Sequence, residues 1–161
     1  MAEWQKPVFD RTQADVDFAI KTIAKWIAAD ITNASIVGYD LKGCLNVSDI
    51  NRIEGNIAYL AEQLRRYGYS PNTSIKSWTM ADMPNEDDIA RILNNIRVLV
   101  NSFYQHPDAP TLSDGMSGYT EVNAIELNLS LIKALIDGMV DSFKKSGTFQ
   151  LGSTTFLPIR R

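Results

Sequence analysis

The chain has 161 residues, of which 45% are hydrophobic and 22% charged, with a formal net charge of -3. That balance fits one globular domain with its own core, and it argues against nucleic acid or a membrane surface as a partner. One cysteine and one histidine exclude an intrachain disulfide and zinc sites built from several such ligands.

The segment Met1 to Asp10 lacks a basic region followed by an apolar stretch, so no secretory signal is expected. No run of about 18 apolar residues follows it, so no membrane span is expected. The first predicted helix runs from Thr12 to Asn33, where Val16, Ile20, Ile23, Ile27 and Ile31 recur at spacings of three and four and share a face. A polar link through Gly38 and Gly43 leads to a second predicted helix, Asn46 to Arg66. It is striped by Ile50, Ile53, Ile57, Leu60 and Leu64 and stopped by Gly68. Tyr69 to Pro84 holds two prolines and no periodicity; it reads as an extended connection with room for a short strand at Ser74 to Thr79.

A third helix is expected from Asn85 to Gln105 on Ile89, Ile92, Ile96, Leu99 and Phe103, followed by a loop marked by Pro107, Pro110 and Gly115. The fourth runs from Tyr119 to Lys145. Its stripe of Val122, Ile125, Leu129, Ile132, Ile136, Met139 and Phe143 is joined by Leu127, Leu131 and Leu135, so it should be buried on two sides and central to the packing. Beyond Gly147 the alternation of Phe149 and Leu151 suits a short strand or arm. The expected architecture is all-α: a single domain over 1–161, with an extended segment at 1–11, a bundle of about four helices at 12–146 and an arm at 147–161.

An internal repeat is the strongest signal. NVSDINRIEGNI (46–57) and NEDDIARILNNI (85–96) agree at the Asn, Asp, Ile, Arg, Ile, Asn and Ile positions, and GYTEVNAIELNL (118–129) agrees less closely. Asn46 and Asn85 are good N-caps, with Asp49 and Asp88 three residues on, where an acid can bond back to the cap. Asn56, Asn95 and Asn128 recur beside the apolar stripe. Either they form a ligand-binding trio of amides or they make one structural bond that repeats with the motif; a structural role is the simpler expectation.

Candidate chemistry is sparse. His106 beside Pro107 suits a surface or capping residue, and Cys44 lacks the setting of a nucleophile. Asp87 and Asp88 sit where helix starts attract acids. Glu54 and Glu126, formally an acid and base pair, occupy matching repeat positions, which favours structure over catalysis. The terminal pairs Arg65/Arg66 and Arg160/Arg161 make no wide basic face. No catalytic residue, metal ligand or cofactor is expected. Trp4 and Trp78 lie outside helices and can pin their segments or anchor an interface. Phe149, Leu151, Phe156, Leu157 and Ile159 should dock on the body or on a partner chain.

The opening WQKPVFDRTQADVDFA, the block KGCLNVSDINRIEGNIAYLAEQLRRYGY, the run Trp78-Thr79-x-x-Asp82-x-Pro84 and the later FKKSGTF resemble uncharacterised phage and prophage proteins of Gram-positive gut bacteria. The resemblance spans most of the chain. It implies a virion structural protein near tail or baseplate genes, located in the particle and, during assembly, in the host cytoplasm. Other virion proteins and further copies of the chain would be its partners. It carries no catalytic residues over. A small intracellular protein-binding regulator and an enzyme with a site between subunits are the alternatives.

Overall fold

The computed structural model describes residues 2–29 and 41–147, the last four as backbone. Four helices lie among them: α1 (Gln13–Ala28), α2 (Val47–Arg66), α3 (Glu86–Ser102) and α4 (Tyr119–Gly147). The chain is all-α, and no strand occurs among the described residues. α3 ends at Ser102 rather than Gln105; Asn33 and the predicted C-terminal strand lie outside the described residues. No helix among the described residues is long and apolar enough to cross a membrane.

The helix starts follow from their caps. Asp49 accepts the Asn46 N–H at 3.0 Å. Asp88 accepts the Asn85 N–H at 3.3 Å while its own N–H donates to Asn85 Oδ1 at 2.9 Å. Each box satisfies N–H groups that a helix start leaves without intrahelical partners. α1 carries the same device, Thr12 with Asp15. α2 stops at Gly68, whose φ of 89° a residue with a Cβ rarely adopts. There the Tyr69 N–H reaches back to the Leu64 carbonyl at 3.1 Å.

The three repeated stripes meet in one core. Ile53, Ile57, Leu60 and Leu64 of α2, Ile92, Ile96 and Leu99 of α3, and Ile125, Leu129, Ile132 and Ile136 of α4 are all buried. Each such side chain contributes about 1.5–3 kcal/mol by leaving water. α4 touches both other helices, and so do α2 and α3, so the core is a closed triangle without a privileged centre.

The helices of that triangle run parallel, and the long connections explain how. Short links between helices give antiparallel neighbours. α2, with 20 residues, is about 30 Å long, a span that about nine extended residues retrace. The segment after α2 does this: it leaves beside Leu64 and returns to hydrogen-bond Asn51 near the start of α2. Along α3 it meets Asn95 at Ser74 and Asp88 at Lys76, again against the helix direction. The N-terminal segment likewise passes Asn56 at Gln5 and Asp49 at Arg11 on α2, and Glu126 at Val8 and Asn123 at Arg11 on α4. Extended returns therefore fill the grooves of a parallel three-helix core.

α1 stands apart from this core. Its only buried residue is Ala19. Ile20, Ile23 and Ile27, which the spacing marks as an apolar face, are 61%, 36% and 75% exposed. The link before α2 closes tightly on its first turn: a Cβ on Gly43 would lie 2.1 Å from the Asp15 carbonyl oxygen. Lys42 bridges Asp10 at 3.1 Å and Asp15 at 3.6 Å.

Candidate functional site

The repeated asparagines each hold a return segment by its backbone. Asn56 accepts the Gln5 N–H and donates to the Gln5 carbonyl, both at 2.9 Å. Asn95 treats Ser74 the same way, at 3.0 and 2.6 Å. One amide side chain thus satisfies both polar groups of one residue, as a neighbouring strand would. Asn128 reaches Pro110, which has no N–H to give, so only the bond to its carbonyl forms, at 2.9 Å. The three amides do not converge on a common hollow; each faces its own groove.

Two further clamps escaped the sequence reading. Asn51 grips both backbone groups of Trp78 at 2.9 Å, and Asn123 grips Arg11 at 3.2 and 2.9 Å. The signal was available: α2 and α4 share Asn-x-x-Glu-x-Asn, at 51–56 and 123–128. The gripped residues also match, as Arg11-Thr12-x-x-Asp15 and Trp78-Thr79-x-x-Asp82. In both, the aspartate accepts from the threonine hydroxyl and N–H, at 2.8 Å for Asp15 and 2.7 Å for Asp82. The threonine hydroxyl is the main cause holding these carboxyls below the usual carboxylate value.

Between the clamps sits a buried ion cluster. Arg11 pairs with Asp49 at 2.7 Å and Glu126 at 3.3 Å. Arg52 pairs with Glu126 at 2.6 Å and also with Asp49. Glu126 further accepts the Val8 N–H at 2.8 Å. Desolvation pulls the Arg52 pKa down, but bonding to Glu126 and Asp49 outweighs it, and the pKa stands above the ordinary value. Two guanidiniums face two carboxylates, so the formal charges cancel. Arg11 Nε is the one buried side-chain polar atom without a partner among the described residues.

The next groove repeats the theme with fewer charges. Arg91 pairs with Glu54 at 2.5 Å, and the Trp78 indole N–H donates to Glu54 at 3.3 Å. Arg91 is raised above its ordinary pKa chiefly by this bond to Glu54. In both grooves the arginine of one helix meets the glutamate of the neighbouring helix. In the repeat alignment, the third groove sets Ala124 at the arginine position and Leu93 at the glutamate position. Both partners are replaced together, and Leu93 is buried.

This arrangement holds segments in place. Glu54 and Glu126, the candidate acid and base, are each bound to an arginine and lie in different grooves. His106 Nδ1 accepts the Asp108 N–H at 3.1 Å, a local turn bond. Burial, with Asp49 nearby, pushes the Cys44 thiol pKa up, away from a thiolate. Asp87 is exposed at the start of α3. The largest polar-lined hollow near the ion cluster, about 500 Å³, opens between the first turns of α1 and α4 beside Gly43 and Glu121.

Trp78 is buried, so its ring pins the return segment rather than facing solvent. Trp4 is half-buried against Tyr59, ring centres 5.7 Å apart, with Lys133 Nζ 5.6 Å from its ring. Phe149, Leu151, Phe156, Leu157 and Ile159 lie outside the described residues.

Removing one amide should loosen one segment. Asn56→Ala leaves the Gln5 N–H and carbonyl without their partner and should lower stability by about 1–3 kcal/mol. Hydrogen exchange should quicken at Gln5 and stay unchanged at Ser74, while Asn95→Ala should do the reverse. Equal loss of protection at both would contradict separate clamps.

No family model matches the chain, and no curated protein or solved structure was found to be similar to it.

Proposed function

We propose that this chain is a non-enzymatic structural component of a bacteriophage or prophage particle, tail- or baseplate-associated, working through protein contacts. One observation carries the reading: the repeated polar side chains are used to bind the chain's own extended segments to its helices. Asn51, Asn56, Asn95 and Asn123 hold backbone, while Glu54 and Glu126 hold arginines. Such a body is rigid by construction, and what it offers outward is surface. The particle setting comes from the resemblance of the N-terminal, central and Trp78–Pro84 motifs to phage virion proteins.

The test is composition of the particle. Phage induced from a host carrying the gene is purified on a density gradient and its proteins quantified by mass spectrometry. This chain should band with the particles at a fixed ratio to the major tail protein. Its confinement to the particle-free lysate would overturn the proposal.

A further inference from the structure

We propose that α1 is a self-association helix, through which three copies of this chain pack along a common axis by Val16, Ile20, Ile23 and Ile27. The inference goes beyond the particle reading and stands without it.

The first support is that α1 is extra to the repeat. In the second unit the Thr79–Asp82 box is followed three residues later by Asn85, the cap of α3. In the first unit the same box, Thr12–Asp15, is separated from the cap Asn46 by α1 and its link. The three-helix core closes in the second unit without any such helix, so α1 is not demanded by the packing.

The second support is the face itself. Spacings of four, three and four along Val16, Ile20, Ile23 and Ile27 give the a and d positions of a heptad. Isoleucine at both positions favours three- or four-stranded assemblies over two-stranded ones. The flanking positions bring Ala19 beside Ala24, and Thr12 beside Asp17, of a parallel neighbour. No like charges are set against each other, while Lys21 and Lys25 fall outside the contact.

The third support is area. Ile20, Ile23 and Ile27, at 61%, 36% and 75% exposure, together leave on the order of 300 Å² of apolar surface open in one copy. Two copies would cover about 600 Å² by the stripe alone, half the lower bound of a stable two-body interface. Around a threefold axis each helix also buries both flanks, Ala19 with Trp26 on one side and Ala24 on the other. The stripe then gives about 900 Å² before those flanks are added, which brings the assembly into the stable range. A closed cyclic arrangement leaves no stripe uncovered and no open end for further growth.

Sedimentation velocity and light scattering of the full chain across the micromolar range should give a trimer. The double variant Ile20→Lys/Ile27→Lys should run as a monomer, with unchanged helical circular dichroism and an unfolding midpoint that no longer depends on protein concentration. A wild-type monomer or dimer overturns the proposal. So does a double variant that loses its cooperative unfolding transition, because the stripe would then be covered within the chain. Absence of the chain from phage particles would leave this result unaffected.

Discussion

Glu126→Ala should lower the unfolding free energy by about 3–5 kcal/mol, the range for removing one partner of a buried ion pair. Glu126 is fully buried and is the acceptor shared by Arg52, Arg11 and the Val8 N–H. Without it, two guanidiniums remain against Asp49 alone, in a place where water cannot replace the lost charge. In urea the midpoint should fall with little change in slope, and the melting temperature should drop on the order of 10 °C. Glu126→Gln, which keeps an acceptor for Val8 but not the charge, should fall between the variant and the parent. The exposed pair Lys133–Asp137, at 2.7 Å, is the internal comparison: Asp137→Ala should change stability by no more than about 1 kcal/mol. The local signature is faster exchange at the Val8 amide. A change in Glu126→Ala as small as that in Asp137→Ala would mean that the N-terminal segment does not dock on the cluster.

The helices were legible because burial writes a period into sequence. Ile53, Ile57, Leu60 and Leu64 recur every three or four residues because one side of α2 faces the core, and the caps Asn46 and Asn85 mark the starts. The same logic misled at α1. Val16, Ile20, Ile23 and Ile27 have the period of a buried stripe, yet period reports only that a face is apolar, not what covers it. The direction of the helices was also hidden. Parallel packing follows from extended returns lying in the grooves, and these have no period, since their backbone is satisfied by side chains of distant helices. Gln5 finds Asn56 and Arg11 finds Asn123 across separations that no local pattern records. The repeat did mark Asn56, Asn95 and Asn128 as one structural element used three times. It did not reveal their partners, because an amide beside an apolar stripe can equally serve a ligand or a strand. Asn51 and Asn123 went unread because the third repeat position is Ala90, which broke the pattern.

That broken position makes the third groove a test of the whole arrangement. Leu93→Glu places a carboxylate in a buried apolar site and removes a leucine from the core. The change should cost several kcal/mol, from lost apolar burial of about 1.5–3 kcal/mol together with the penalty of an unpaired buried charge. Ala124→Arg alone should be mild, because Ala124 is only half-buried and a long side chain can lay its stem on the surface and keep its head in water. If the third groove is built like the other two, the new arginine lies where Arg52 and Arg91 lie relative to their glutamates. The double variant should then recover on the order of 1.5–3 kcal/mol relative to the sum of the single changes, the coupling expected of residues in direct contact. Recovery should vanish when both are measured at a pH low enough to protonate the glutamate. The matched replacement of an arginine by Ala124 and a glutamate by Leu93 is what two contacting partners require, since a lone survivor would be a buried charge without a counterion. Additivity of the two single changes within about 0.5 kcal/mol would show that α3 and α4 do not meet as α2 meets its neighbours, and the threefold correspondence of the grooves would fall with it.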